Sequence, residues 1–388
     1  MNTTLIQPAN RILSVSEYYF STKLAEIRKM NAAGQSVINL GIGNPDLSPS
    51  ENTIKGLMQA ASEPTNHGYQ SYTGIPELRN AFSDWYKKFY AVDLNPENEI
   101  LPLLGSKEGI MHISLAFLNP GDEVLVPDPG YPAYKAVAAL CEAKAVEYDL
   151  NESLGWCPDF DHLEKMDLTN VKLMWVNYPN MPTGKAASIK LFEQLIAFGK
   201  KHRILIVNDN PYSMISTDKP LSILSVDGAK EIAIELNSLS KSHNMAGWRV
   251  GMIGAAFHFI QAILKVKSNM DSGMFKPIQL AAAEALRNTE DWYKTQRTVY
   301  SERKEIAKKI LSALNCDFDS ESTGMFVWAK IPREAKSAKD FSEDILQNKK
   351  VFITPGFIFG KNGERFIRLS LANNEKTLTE ALNRILKK

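Results

Sequence analysis

The stretch SLSKSHNMAGWRVG, Ser238 to Gly251, sets a lysine among small hydroxyl residues, with an arginine eight positions further on. Neither an ordinary helix nor an ordinary strand reads this way. The stretch is entered through EIAIELNSL (231–239) and left through RVGMIGA (249–255), both short and apolar, which predicts a strand, a glycine-containing loop and a second strand. Working outward, runs of the same kind recur in DEVLVPDP (122–129), VKLMWVNYP (171–179) and RILIVNDNPY (203–212). Strands that are almost continuously apolar suit a mainly parallel sheet covered on both faces by helices.

The intervening segments have helical period. SIKLFEQLIAFGKKH (188–202) repeats Leu191, Leu195 and Phe198 at spacings of four and three, with Ser188 placed to cap its start. EILPLLGSKEGIMHISLAFL (99–118) offers a short strand, a Gly-Ser turn and a helix. VGMIGAAFHFIQAIL (250–264) is interrupted by Gly251, Gly254, His258 and Gln261 and is too short to span a bilayer, so it reads as a buried strand and a helix. After about residue 290 the pattern changes to a long charged helix, DWYKTQRTVYSERKEIAKKILSAL, then to the strands GMFVWAKIP and FIRLSLA and a last amphipathic helix. The expected fold is α/β: a large domain over 46–289 with a mainly parallel, helix-covered sheet, and a smaller α+β domain over 290–388. The N-terminal segment, 1–45, is expected to join the smaller domain and cover the site.

With 388 residues, 44% of them hydrophobic, the chain can bury a sizeable core. Lys and Arg total 45 against 44 for Asp and Glu, with no basic block, which argues against a nucleic-acid or membrane-surface role. Cys141, Cys157 and Cys316 form neither a disulfide framework nor a metal knuckle, and a reducing cytoplasm suits them. MNTTLIQPANRIL lacks the features of a signal peptide, so the protein is expected in the cytoplasm. The six histidines have no metal-ligand spacing, and no metal site is expected. GIGNPD (41–46) opens like a dinucleotide fingerprint but lacks the third glycine and a following helix, and Asn44-Pro45-Asp46 reads as a turn. No G-x-S-x-G elbow occurs.

Lys241 falls at the carboxyl end of a predicted strand, the edge where open α/β sheets bind ligands. An amine there can form an imine with an aldehyde cofactor. The hydroxyls of Ser238 and Ser240 with the guanidinium of Arg249 make an anion pocket suited to phosphate. A lysine and a phosphate pocket together imply pyridoxal phosphate. Taken alone, Lys241 reads rather as a solvated loop lysine and Arg249 as a surface ion pair, so other segments must decide.

NDNPY places Asp209 and Tyr212 at another strand's end. A carboxylate beside the pyridine nitrogen keeps it protonated, so that the ring accepts electrons, and Tyr212 is placed to bond the phenolic oxygen. LLGSKEGI sets Ser106 and Lys107 where a strand becomes a helix, whose first N–H groups bind phosphate. DPGYPAY (128–134) also ends a strand and offers Tyr131 to stack on the ring.

With YPNMPTG, YQSYTGIPELR and RFIRLSLA added, these motifs stand in one recognisable order and spacing. Over nearly its whole length the chain resembles the class I/II aminotransferase family of fold-type I pyridoxal-phosphate enzymes. The resemblance implies that Lys241 holds the cofactor and carries the proton between substrate and cofactor. It implies that Asp209 pairs with the pyridine nitrogen, that Tyr212 bonds the phenolic oxygen, and that Tyr131 stacks on the ring. Ser106, Lys107, Ser238, Ser240 and Arg249 would surround the phosphate, and Tyr69 would reach a phosphate across a homodimer interface. Arg368 would grip the substrate α-carboxylate, helped by the backbone N–H of Gly43, with Arg365 left as a solvated surface residue.

Where the family has N-P-T-G this sequence has Met181-Pro182-Thr183-Gly184. Asn180 or Asn177 would then replace the missing amide, or Tyr212 would act alone. Aspartate-preferring relatives use a further arginine from the neighbouring subunit in the region of 265–277, which here holds Lys265, Lys267 and Lys276 but no arginine. NMDSGMF is closer to members acting on diaminopimelate or alanine-like substrates. Met174, Met181, Met245, Met270 and Met274 fall in segments expected near the site and suit an apolar side chain or simple core packing. The implied activity is transfer of an amino group from an L-amino acid to a 2-oxo acid, 2-oxoglutarate, in two half-reactions. A β-lyase or decarboxylase on the same scaffold is the alternative, and an aminotransferase-like sensing domain of a regulator a more distant one.

Overall fold

The structure is a computed structural model and describes residues 6–15, 19–215 and 217–387. The first residues of MNTTLIQPANRIL, 1–5, and residues 16–18 of the expected N-terminal segment lie outside the described residues. The strands, in chain order, are β1 (Ile38–Asn39), β2 (Ile100–Leu103), β3 (Glu123–Asp128), β4 (Lys144–Asp149), β5 (Val171–Val176), β6 (Leu205–Asp209) and β7 (Ala233–Ser238). They continue with β8 (Gly251–Ala255), β9 (Asp317–Phe318), β10 (Phe326–Lys330), β11 (Val351–Phe352), β12 (Thr354–Pro355) and β13 (Phe366–Ser370).

Seven of them form one sheet in the order β2-β8-β7-β6-β5-β3-β4. It is mainly parallel, but β8 runs antiparallel to both of its neighbours, β2 and β7. The cause lies in the opening stretch: between β7 and β8 the chain makes only a one-turn helix, Leu239–Ser242, and no crossover helix, so it returns in the opposite direction. The inner strands are buried on both faces. Met174 and Val176 of β5 join one apolar cluster with Phe82 of helix Pro76–Tyr90 and Leu195 of helix Ile189–His202. Leu173 and Trp175, one residue out of phase, join a second cluster with Ile110 of helix Ser106–Phe117 and Ile263 of helix Phe257–Lys267. Ser188 accepts from the N–H of Leu191 at 3.2 Å, capping helix Ile189–His202.

A third cluster sits under the antiparallel sheet β12-β13-β10-β9 and contains Ile310 of helix Glu290–Ala313 and Leu378 of helix Glu375–Leu386, together with Leu40 and Met181. Parallel pairing of β1 with β11, Ile38 opposite Val351, brings the N-terminal segment to this side.

Two local expectations are corrected. Asn44-Pro45-Asp46 makes no turn; the chain runs on without one because Asp46 is drawn to Arg303, whose Nη1 and Nη2 meet its carboxylate at 2.7 and 3.0 Å. Arg303 is buried and also bonds Glu375 at 3.0 Å and the carbonyl of Leu371 at 3.2 Å. Arg365 is half-buried rather than freely solvated: its guanidinium donates to the carbonyls of Pro332 at 2.6 Å and Ala335 at 2.5 Å, satisfying a loop that has no sheet partner. No helix among the described residues is long and apolar enough to cross a membrane.

Candidate active site

A cavity of about 560 Å³ opens at the carboxyl ends of the parallel strands. Asp209 ends β6, Ser238 ends β7, and Asn177 and Tyr131 follow β5 and β3, all facing Gly43, Phe326 and Arg368 from the other side.

One corner is built for an anion. Helix Ser106–Phe117 starts straight after Gly105, whose φ of +86° suits glycine. A Cβ at Gly105 would land on the guanidinium of Arg249, so the absence of a side chain is what lets that guanidinium lie against the helix start. Nη1 of Arg249 donates to Ser240 Oγ at 3.1 Å and to the carbonyl of Ala246 at 3.0 Å. Ser106, Lys107 and Ser238 complete the corner, where the helix N-terminus adds its partial positive charge.

Lys241 projects from the one-turn helix and donates to the carbonyl of Gly43. Burial, assisted by the nearby positive charges of Arg368 and Arg249, lowers its pKa from 10.5 to about 8. The amine form therefore grows as pH rises through 8. Capture of an aldehyde by the cofactor-free protein should accelerate about tenfold per pH unit below 8 and level off above it. Stopped-flow absorbance across pH 6 to 10 checks this, and an inflection near 10 would mean that the lysine is unperturbed.

Asp209 is 6% exposed. Tyr134 donates to its Oδ2 at 2.9 Å, while its Oδ1 is buried with no hydrogen-bond partner among the described residues. Burial pushes the carboxyl up to about 6, against the opposing pull of the Tyr134 bond. A buried carboxylate oxygen with no donor is costly. A protonated pyridine nitrogen would satisfy it, so the residues present fit pyridoxal phosphate at both its phosphate and its ring ends. Tyr134 stacks on Trp175 with ring centroids 4.9 Å apart. It stands in the same motif as Tyr131, three residues on, and the sequence reading overlooked it.

On the far side Arg368, buried on β13, lies over the ring of Phe326 at 3.9 Å from Cζ to centroid. Its Nη2 donates to the carbonyl of Gly41 at 2.8 Å and its Nη1 to Met181 Sδ at 3.1 Å. The thioether thus stands directly beside the guanidinium.

Of the residues that the resemblance gives to cofactor and substrate, the cavity brings together all except Asn180 and Tyr69. Asn180 is turned into its own loop: Oδ1 accepts from the N–H and hydroxyl of Thr183 at 3.2 and 2.7 Å, and Nδ2 donates to the carbonyl of Asn177. Asn177 lines the cavity instead, donating to the carbonyl of Asp209 and accepting from the N–H of Met181 at 2.7 Å. Tyr69 is 92% exposed, away from the cavity of its own chain. Of the five methionines only Met181 lines the cavity; Met174, Met245 and Met274 are core residues and Met270 is on the surface. Phe20, Ser21 and Leu24 of helix Tyr19–Ala32 and Ile42 also line it and carried no sequence signal, because only tertiary docking brings them there.

Elsewhere Glu108, His112 and Asp271 bring ligand atoms within 4.8 Å of one another, a grouping that histidine spacing did not suggest. The Asp271 carboxylate is engaged by the buried ammonium of Lys267 at 2.8 and 3.0 Å, which stands where a cation would.

The family profile of aminotransferase class I and II matches residues 35–385. The LL-diaminopimelate aminotransferase of Dehalococcoides mccartyi is 38% identical over 379 residues, 97% of each chain. Substrate-bound BacF from Bacillus subtilis superposes with a TM-score of 0.93 at 35% identity, covering 99% of this chain and 98% of that one. An aspartate aminotransferase variant of Thermus thermophilus gives 0.91 at 25% identity over 98% and 99%. Together with a cavity that fits the cofactor at both ends, these likenesses mean that the chain belongs to the class I and II aminotransferases and is a pyridoxal-phosphate-dependent enzyme of fold type I.

Proposed function

We propose that amino transfer from an L-amino acid to 2-oxoglutarate takes place in this cavity, with Lys241 as both the covalent anchor of the cofactor and the group that moves the substrate proton. The observation carrying this is the pairing, in one cavity, of a lysine held partly neutral with a buried carboxylate oxygen that lacks a donor. Bound there, pyridoxal phosphate supplies an electron sink for the α-carbon.

The chain's own groups do the rest. Asp209 keeps the ring nitrogen protonated, and Tyr134 steadies Asp209 from behind. Tyr131 would cover the ring and Tyr212 with Asn177 would hold its phenolic oxygen, so that Asn180, turned into its own loop, leaves the cofactor set. Ser106, Lys107, Ser238, Ser240 and Arg249 hold the phosphate. Arg368 and the N–H of Gly43 take the substrate α-carboxylate, and Phe326 beneath the guanidinium keeps water from its face. Lys241 would hold the cofactor and, with its amine partly neutral, would serve as the base that takes the proton from the substrate α-carbon.

A homodimer in the cytoplasm completes the proposal, with Tyr69 reaching the partner's phosphate; its near-complete exposure supports this. The proposal includes a division into segments 1–45, 46–289 and 290–388; the β1–β11 pairing, which joins the first segment to the last, favours it. The test is the absorption spectrum of the purified protein on adding single amino acids without acceptor. The cofactor's visible band should fall with a true donor and return on adding 2-oxoglutarate. Release of ammonia without that recovery would replace the reading by elimination chemistry.

A further inference from the structure

Two residues after Lys241 stands a buried imidazole that the reaction itself does not use. His243 is 1% exposed, and its ring lies among those of Trp85, Trp292 and Tyr293. Both ring nitrogens are engaged: Nδ1 meets Ser242 Oγ at 2.8 Å and Nε2 meets the Tyr293 hydroxyl at 2.8 Å. Ser242 spends its one proton on the carbonyl of Ser238 at 3.1 Å, so the proton between Ser242 and His243 belongs to Nδ1. Burial keeps the imidazole neutral, its pKa lowered to about 3, so Nε2 carries no proton and accepts from Tyr293. Tyr293 in turn accepts from the indole N–H of Trp85 at 3.0 Å. One chain of donors therefore runs from Trp85 to the carbonyl of Ser238, with every proton assigned and a single tautomer allowed.

That chain braces the turn carrying Lys241. A single helical turn has little stability of its own. Leu239–Ser242 is held from both ends, Ser240 by Ser238 Oγ and Arg249, and Ser242 by His243 and through it by Tyr293. Tyr293 lies near the start of helix Glu290–Ala313, whose Gln296 also accepts from Asn244 at 2.9 Å, so the segment just after the lysine is fastened to that helix twice. The contact of the amine with the carbonyl of Gly43 is given up when the amine bonds the cofactor, which leaves the backbone on either side to fix where it reacts. We propose that His243 is a positioning residue for Lys241: through its Nδ1–H and Ser242 it sets the turn from which the amine reaches the cofactor. The proposal rests on the role given to Lys241 above. Displacing a reacting group by about 1 Å costs on the order of 10²-fold in rate, so a brace of this kind is felt in the chemistry.

The test is the rate at which the cofactor-free protein captures pyridoxal phosphate at saturation, followed by absorbance, with the melting temperature of each variant measured alongside. His243→Gln sets its amide near the place of Nε2 and loses the bond to Ser242, and Ser242→Ala removes the same bond from the other side. Each should slow capture about 30-fold or more, and in the loaded enzyme should lower kcat while KM changes by less than about threefold. His243→Asn, whose amide falls near the place of Nδ1 and can donate to Ser242, should restore capture to within about threefold of native. Tyr293→Phe separates placement from packing: it takes the donor from Nε2 and should lower the melting temperature, yet leave capture within about threefold because the Nδ1–H bond remains. Native-rate capture in His243→Gln or Ser242→Ala, or capture that simply follows melting temperature across the set, assigns His243 to packing alone and overturns the proposal. A native chain that captures no cofactor overturns the role of Lys241 instead.

Discussion

Lys241→Ala should lower turnover by about 10⁵-fold or more, since on the proposed mechanism one substitution removes both the covalent anchor and the proton carrier. Alanine suits the one-turn helix Leu239–Ser242, and the groups of the anion corner do not depend on the lysine for their positions: Arg249 is held by Ser240 and Ala246, and Ser240 by Ser238. The variant should therefore fold and still bind the cofactor through its phosphate. Borohydride treatment followed by intact-mass measurement separates the outcomes: the native chain should retain the cofactor's mass and the variant should not. Full turnover in the variant would take Lys241 out of the mechanism.

Asp209→Asn should slow proton removal from the α-carbon about 10²- to 10³-fold while changing cofactor retention far less. Asparagine keeps the shape and a contact to Tyr134 but loses the charge that favours a protonated ring nitrogen. Because the buried Oδ1 has no other donor among the described residues, the charge acts on whatever occupies the cavity and little else. Single-turnover absorbance measures the proton step directly and dialysis measures retention. An unchanged single-turnover rate would show that the ring does not rely on Asp209.

The parallel strands were legible because both faces of each are buried, which leaves nearly unbroken apolar runs such as VKLMWV at β5. The direction of β8 was not, since apolar runs carry no sign; only the brevity of the connection after β7 turns it around. At the site, residues at strand ends and helix starts could be read: Asp209, Ser238, Lys241 and Ser106 all sit where periodicity breaks. Asn180 misled because adjacent amides in one loop point to opposite sides, and only the bonds to Thr183 show which is occupied. Phe20 and Leu24 could not be named individually, although the segment 1–45 was expected to cover the site. Their helix carries no motif of its own and reaches the cavity through the packing of Phe20, Ile27 and Met30 against Leu346 and Phe352.

The way Arg303 ties Asp46 to Glu375 also orders events on the ribosome. Everything from Gly105 to Arg249 that lines the anion corner has been synthesised before the last third of the chain emerges, whereas β1 waits for β11 and Gly41 for β13. Pairings so distant along the chain close late. A nascent or truncated polypeptide can therefore present the anion corner before Arg368 of β13 has met Gly41 and the proposed carboxylate grip is in place.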